Sequence, residues 1–128
     1  MLLDREHANA SASVWAAVEA GRVKGLLAAH AITTIHYLVR KERGAAFAQR
    51  TVSALLQVFA VAAVDGEVIE RALQLPLVDF EDSVSASAAE KAGCDGIVTR
   101  DPRGFRGTRI RVLSPEVARA LFPAHKRP

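Results

Sequence analysis

The sequence predicts an α/β domain in which a parallel sheet is covered by helices on both faces. Short apolar runs of strand length alternate with segments of helical periodicity, which is the order of βαβ units. Half of the 128 residues are apolar but only 5% are aromatic, a composition that favours closely packed helices and helix-covered sheets. The length suits one domain, so we expect a single unit over residues 1–128.

Glycines and apolar runs divide the first half of the chain into helices and strands. Glycine follows the last apolar position of the first two predicted helices, where it favours a helix end. The apolar runs between the helices have the length of buried strands. In chain order, we predict a helix capped by Ser11 or Ser13 and ended by Gly21, a strand at residues 25–30, a helix from Thr33 to Gly44, a helix carrying Phe47, Thr51, Leu55 and Phe59, and a strand at residues 60–65.

The second half of the chain continues this alternation. Asp79 is a good N-cap for a helix that runs to Gly93, and Ser114 followed by proline is a standard helix opening. The other predicted elements are a short helix at residues 66–75, stopped by Pro76, strands at residues 96–100 and 110–113, and an end to the last helix at Pro123. Ligands of open α/β sheets bind beyond the carboxyl ends of the strands, so residues at these ends are the candidates for a site.

Several common chemistries are excluded. The longest apolar runs are far too short to cross a bilayer, and the N-terminus has no basic start followed by an apolar stretch. Cys94 is the only cysteine, which excludes an internal disulfide framework and a cysteine-rich zinc site. There is no phosphate-binding glycine loop and no nucleophile elbow, and the histidines are scattered without metal-ligand spacing. We therefore expect a cytoplasmic protein with no membrane association.

Carboxylates are the remaining candidates for chemistry. Asp79 and Asp82 lie three residues apart at a predicted helix start, and Asp101 directly follows the predicted strand at residues 96–100. A right-handed connection can bring Asp82 and Asp101 to the same edge of the sheet. Converging carboxylates favour Mg²⁺ or Mn²⁺, which can activate water for phosphodiester hydrolysis. The same residues also fit structural roles, with Asp79 as an N-cap and Asp101 in a turn.

Basic residues are concentrated at the C-terminal end. Residues 100–128 carry eight Lys and Arg against two acidic residues, a net charge of +6, whereas the rest of the chain sums to −3. Arginines around Asp101 suit a nuclease, because arginine binds phosphate groups beside a cation that assists the chemistry. A solubilising tail and an arginine-rich loop explain the same charges without a nucleic-acid partner.

The sequence from Val78 to Asp101 resembles the C-terminal half of PIN domains, most closely the bacterial toxin-type (VapC-like) branch. The similarity lies in Asp-Phe-Glu-Asp at residues 79–82, in the Ala-Ala-x-x-x-Gly helix end that closes at Gly93, and in Ile-Val-Thr-Arg-Asp, which ends at Asp101. Phe105 and Val-Leu-Ser-Pro at residues 112–115 follow in the family order. Residues 3–6 and 34–41 also resemble family segments, so the similarity spans nearly the whole chain.

The resemblance implies a PIN-like three-layer α/β/α fold and a metal-dependent endoribonuclease, the toxin of a toxin–antitoxin pair. Asp82 matches the helix Asp of the family and Asp101 the Asp after its fourth strand, so both are expected to hold Mg²⁺ or Mn²⁺ as catalytic residues. Asp79 is the acidic neighbour with a supporting catalytic role. The expected partners are an RNA substrate, oriented by Arg100 and Arg103, an antitoxin protein and a second copy of the chain in a homodimer.

Two departures from the family pattern predict low activity. Thr34 stands where the family has a carboxylate at the start of the helix after its second strand, and threonine brings no charge. The first strand of the family, which lies at the centre of the sheet and ends in an Asp, has no counterpart, and Asp4 matches a later segment. Either the start codon is misassigned and this strand is encoded upstream, or the chain is a degenerate PIN relative.

The degenerate form defines an alternative function, a catalytically inactive PIN-like domain that binds RNA or protein. Such a domain binds RNA with a strong salt dependence that metal chelation does not change. An active ribonuclease instead loses metal-dependent cleavage when Asp82 or Asp101 becomes Asn. A third class, an unrelated α/β phosphate-handling domain, needs a nucleophilic Asp at a strand end near the N-terminus, and no strand before Asp4 is long enough to support one.

Overall fold

The computed structural model of the protein describes residues 14–121. Helices and short strands alternate along this range, which confirms the predicted α/β class. The elements are a helix at residues 14–19 (α1), β1 (Leu26–Ala28), α2 (Ala29–Arg43), α3 (Ala45–Val58), β2 (Ala60–Ala62), α4 (Gly66–Ala72), α5 (Phe80–Ala92), β3 (Gly96–Val98), a 3₁₀ helix (Pro102–Phe105), β4 (Arg111–Leu113) and α6 (Pro115–Leu121). The predicted cap at Ser11 or Ser13, the stop at Pro123, Asp4 and residues 3–6 lie outside the described residues.

The boundary between β1 and α2 differs from the prediction. The apolar run at residues 25–30 was expected to be strand throughout, with a helix opening at Thr33, but β1 ends at Ala28 and α2 begins at once. No side chain caps this helix, and Thr33 Oγ1 instead donates to the carbonyl of His30 within the first turn. A threonine inside a helix that donates to a carbonyl of the preceding turn cannot be distinguished by sequence from a threonine that caps a helix. For this reason the start of α2 was predicted at Thr33 and not at Ala29.

Helix α5 has the ends that the sequence predicts. The Asp79 side chain accepts a hydrogen bond from the backbone N–H of Asp82 at 3.1 Å, so it is the N-cap. Gly93 has φ +76°, and the N–H of Cys94 donates to the carbonyl of Ala89, which closes the last turn. The predicted opening of α6 is also confirmed, because Ser114 Oγ accepts from the N–H of Val117.

The strands form two parallel pairs. β1 pairs with β2 in the register Leu26 to Ala60, and β3 pairs with β4 in the register Gly96 to Arg111. Within the described residues no ladder joins the two pairs into one sheet. This is the arrangement expected if the central strand of the resembled fold is not among these residues. Over the same range, no helix is long and apolar enough to cross a membrane.

Helix α5 connects the two pairs, since it packs against β1, β2 and β3. Val84 and Ala88 join the apolar cluster beneath the first pair, which includes Ala62 and Val68. Ala86 joins a second cluster with Leu75 and Phe105 beneath the second pair. One helix with small buried side chains thus packs into two cores, which places its N-terminal turn near the carboxyl ends of both β1 and β3.

Candidate metal-binding active site

Asp82 lies in the first turn of α5. Its backbone N–H is bonded to the Asp79 carboxylate, and the burial of Ser83 and Val84 holds this turn against the rest of the domain. The carboxylate of Asp79 therefore serves the helix backbone, which is the structural role that the sequence left open for it. Asp82 is left with its side chain free to act at the strand ends.

Asp101 follows β3 by three residues. Its N–H donates to Thr99 Oγ1 at 3.1 Å, and its carbonyl accepts from the N–H of Gly104 at 3.1 Å. The adjoining Pro102 opens the 3₁₀ helix, where proline suits the first position. These bonds fix the backbone at the carboxyl end of β3 and present the Asp101 side chain there.

The carboxylates of Asp82 and Asp101 both lie close to the backbone of Gly104. A Cβ at this position would lie 3.2 Å from Asp82 Oδ2 and 3.6 Å from Asp101 Oδ2. The two oxygens therefore face the same backbone position from α5 and from the loop after β3. A side chain on residue 104 would occupy the space that these oxygens border, and glycine leaves that space open.

The electrostatics of Asp82 reflect this convergence of acidic groups. Burial raises the pKa of the Asp82 carboxyl above its ordinary value of 3.8. The negative charges of Asp79 and Glu81, and then that of Asp101, raise this pKa further. The folded chain therefore holds mutually repelling carboxylates together, and a cation placed among them would relieve this repulsion.

Glu81, which the sequence did not single out, is held close to Thr34. Thr34 Oγ1 lies 3.1 Å from Glu81 Oε2, across 47 residues of sequence, and 3.3 Å from the His30 carbonyl, so its single proton is shared between these two acceptors. His30, at the start of α2, contacts the Glu81 carbonyl through Nε2 at 3.2 Å. Thr34 brings no charge of its own, but it holds a neighbouring carboxylate. No sequence signal links these partners, because their contact depends on how α2 and α5 pack.

The two predicted RNA-binding arginines lie beside Asp101. Arg103 Nε is 3.8 Å from Asp101 Oδ1, and both side chains are largely exposed, so this ion pair is weak. Arg100 is half-buried immediately before Asp101. Arg103 therefore borders the acidic site, and Arg100 adjoins it in the chain.

The donor set fits a hard divalent cation. Carboxylate oxygens suit Mg²⁺ and Mn²⁺, and Mg²⁺ is commonly held by one or two carboxylates, with waters and substrate phosphates in the other positions. Asp82 and Asp101 bordering the space at Gly104 meet that minimum. In residues 14–121, no three His, Cys, Asp or Glu side chains are grouped closely enough to hold one ion together.

The structure thus brings Asp82 and Asp101 together at Gly104, whereas Asp79 caps α5 and Thr34 contacts Glu81. Gly104 is not among the candidate site residues of the sequence, because its role depends on the tertiary contact of its backbone with two carboxylates. The described fold and these paired acids define a class, namely α/β domains with an acidic site at the carboxyl ends of their strands.

Comparison with known families identifies the particular class. Residues 1–103 match the family model of the PIN domain, which covers well over half of the chain. The chain therefore belongs to the PIN domain family, whose members generally have nuclease activity. No curated protein shows significant similarity to the sequence.

Proposed function

We propose that the protein is a Mg²⁺- or Mn²⁺-dependent endoribonuclease of the toxin type. The observation that carries the proposal is the approach of Asp82 and Asp101 to the same open backbone position at Gly104. Membership of the PIN domain family supports a nuclease, and the surrounding arginines support a polyanionic substrate. On this proposal the chain acts in the cytoplasm, pairs with an antitoxin and forms a homodimer.

Each residue of the site has a separate task. Asp82 and Asp101 would hold the cation, and Arg100 and Arg103 would bind phosphates of the RNA backbone. A bound cation supplies an activated water and neutralises charge that develops on the phosphate. Asp79 caps α5 and adds negative charge near Asp82, which supports cation binding.

The position of Arg103 links substrate binding to the site. Without substrate its guanidinium pairs loosely with Asp101. A phosphate offers arginine a stronger, bidentate partner, so RNA binding would draw Arg103 from Asp101 and free that carboxylate for the cation. Metal and RNA are therefore expected to bind cooperatively.

The test is cleavage of RNA by the purified chain with Mn²⁺ or Mg²⁺, with and without a chelator. We expect cleavage that requires the metal and is lost in Asp82→Asn and in Asp101→Asn. Asp95→Asn is the matched control, because Asp95 is an exposed carboxylate just before β3, at the opposite end of the strand from Asp101. Equal cleavage by the wild type and both site variants would contradict the assignment of the site.

A second outcome would favour the alternative function. RNA binding without cleavage, with a salt dependence that is unchanged by chelation, would indicate a catalytically inactive PIN domain. In that case, replacing Arg100 and Arg103 by Ala should weaken RNA binding and reduce the salt dependence, whereas Asp82→Asn should not weaken it.

A further inference from the structure

Helices α2 and α3 form a helical hairpin whose connected ends are exposed. Gly44 is the only residue between the two helices, which pack chiefly against each other. No residue of α2 is buried, and between residues 40 and 50 only Ala48 is buried. A helix of 15 residues in a globular domain normally buries one apolar face, so α2 carries surface that no other described element covers.

The exposed end of this hairpin is basic. Residues 29–58 contain four basic residues against one acidic residue, a net charge of +3, and all five lie within residues 40–50. Among the ion pairs of residues 14–121, none includes a residue of the hairpin. Unpaired cations that share one end of a hairpin attract a polyanion, whereas a second copy of the same surface would be repelled. The basic residues are Arg40, Lys41, Arg43 and Arg50.

Two aromatic rings lie among these cations. Lys41 Nζ lies 5.9 Å from the centroid of the Tyr37 ring. The guanidinium groups of Arg43 and Arg50 lie 5.0 and 5.6 Å from the centroid of the Phe47 ring, which holds them near each other. Tyr37 is 61% exposed and Phe47 38% exposed, so neither ring belongs to a core. Open aromatic rings beside cations suit single-stranded nucleic acid, because bases stack on the rings and phosphates bind the cations.

We propose that this end of the hairpin is a second contact surface for single-stranded RNA, separate from the acidic site. A base stacks on Tyr37, and the two arginines at Phe47 bind phosphates. The choice of RNA as the polyanion rests on the proposed function. This hairpin surface consists of Tyr37, Arg40, Lys41, Arg43, Phe47 and Arg50.

Helix α2 connects the hairpin surface to the acidic site. Its first turns contact Glu81, next to Asp82, through His30 and Thr34. Arg43, the last residue of α2, lies about 14 Å further along the helix axis than Thr34, at a rise of about 1.5 Å per residue. RNA held on the hairpin surface is therefore anchored away from the scissile bond, so this surface contributes to substrate binding and not to the chemical step.

The experiment measures binding of a labelled single-stranded RNA of mixed sequence to the purified full chain by fluorescence anisotropy. A chelator is present, so that no RNA is cleaved. Tyr37→Ala should weaken binding at least about fivefold, which is the loss expected for one stacked base, and Tyr37→Phe, which keeps the ring, should bind like the wild type. Stacking releases no counterions, so Tyr37→Ala should keep the salt dependence of the wild type.

Arg50→Gln tests the phosphate contacts. It should weaken binding and reduce the slope of log affinity against log salt by about 0.7, the value for one phosphate contact on a single strand. Lys24→Gln is the matched control, because Lys24 is an exposed cation that precedes β1 and lies outside the hairpin. It should keep the slope of the wild type. Thermal unfolding of each variant confirms that the proteins compared are folded.

Polyglutamate distinguishes RNA from an acidic protein segment as the partner. It carries negative charge without bases, so Arg50→Gln should weaken its binding and Tyr37→Ala should not. If Tyr37→Ala binds RNA like the wild type, the proposal is overturned. If Tyr37→Ala loses affinity for RNA and for polyglutamate equally, the proposal is also overturned, and an acidic protein segment is the better partner.

Failure of the hairpin surface and failure of the proposed function are distinguishable. In RNA cleavage with Mn²⁺, Tyr37→Ala should raise KM and leave kcat unchanged. If Tyr37→Ala binds RNA like the wild type while Asp82→Asn abolishes cleavage, the hairpin surface is refuted and the proposed function stands. If the wild type cleaves no RNA but Tyr37→Ala still weakens RNA binding, the proposed function fails and the hairpin surface stands.

Discussion

Gly104→Ala is a small change aimed at the space between the two carboxylates. The new methyl group would lie 3.2 Å from Asp82 Oδ2 and 3.6 Å from Asp101 Oδ2. Mg²⁺ requires its oxygen ligands at about 2.0–2.1 Å, so an ion or its water that contacts both oxygens competes with the methyl group for the same volume. We expect Mn²⁺ affinity to fall by at least about tenfold, or about 1.4 kcal/mol.

The same substitution should leave the fold nearly unchanged. Gly104 does not have a positive φ, so alanine fits its backbone conformation. The close contact is with the end of the Asp82 side chain, which can shift by a few tenths of an ångström. Loss of glycine freedom in the unfolded chain favours folding by about 0.4–1 kcal/mol, which offsets the crowding.

The assay combines Mn²⁺ titration with urea unfolding of the metal-free protein. Gly66→Ala is the matched control, because a Cβ at Gly66 meets no atom within 4 Å and the residue does not have a positive φ. Gly104→Ala alone should lose Mn²⁺ affinity. If Gly104→Ala binds Mn²⁺ as tightly as the wild type while Asp82→Asn does not, the space at Gly104 is not the cation site.

Three further predictions concern stability. Asp79→Ala removes the side chain that accepts from the N–H of Asp82, so urea unfolding should show a loss of about 1 kcal/mol. Gly25→Ala places a Cβ 2.7 Å from the Phe59 ring, and this overpacking should cost about 1–3 kcal/mol in the same measurement. Asp82→Asn should stabilise the metal-free protein at neutral pH. Folding raises the pKa of Asp82, so the contribution of this carboxyl to the free energy of unfolding falls as the pH rises from the ordinary Asp pKa through the raised pKa. The stability gained by Asp82→Asn should therefore disappear at pH values below this window. Thermal unfolding at a series of pH values measures it.

Each of these predictions has a control of matched size. Asp79→Ser retains a capping oxygen, so it should lose less stability than Asp79→Ala, and equal losses would argue against the cap. Gly66→Ala again controls for the added methyl group. If Gly25→Ala and Gly66→Ala have the same free energy of unfolding, Phe59 accommodates the methyl group without cost. Asp82→Asn is compared with Asp95→Asn, which makes the same exchange at an exposed carboxylate at the other end of β3. An Asp82→Asn protein less stable than the wild type at neutral pH would contradict the repulsion assigned to Asp82.

The helix around Asp82 illustrates what local sequence predicts well. The Asp79 cap and the Gly93 end depend on interactions within a few residues, and both are present in the structure. The predicted boundary between β1 and α2 was wrong, because a threonine hydroxyl can either cap a helix or donate to a carbonyl within it, and the sequence is the same in both cases. The separation of the strands into two pairs could not be predicted from the local sequence, since strand pairing depends on residues far apart in the chain.

Local sequence is enough to predict the class of fold, the candidate acids Asp82 and Asp101, and the family resemblance, because these follow from periodicity and short motifs. It does not predict that both acids face Gly104 or that Thr34 contacts Glu81. These contacts form because the first turn of α5 lies between the start of α2 and the loop after β3. Their geometry is set by the burial of side chains far apart in sequence, such as Val84 and Phe105, and not by the residues that form the site.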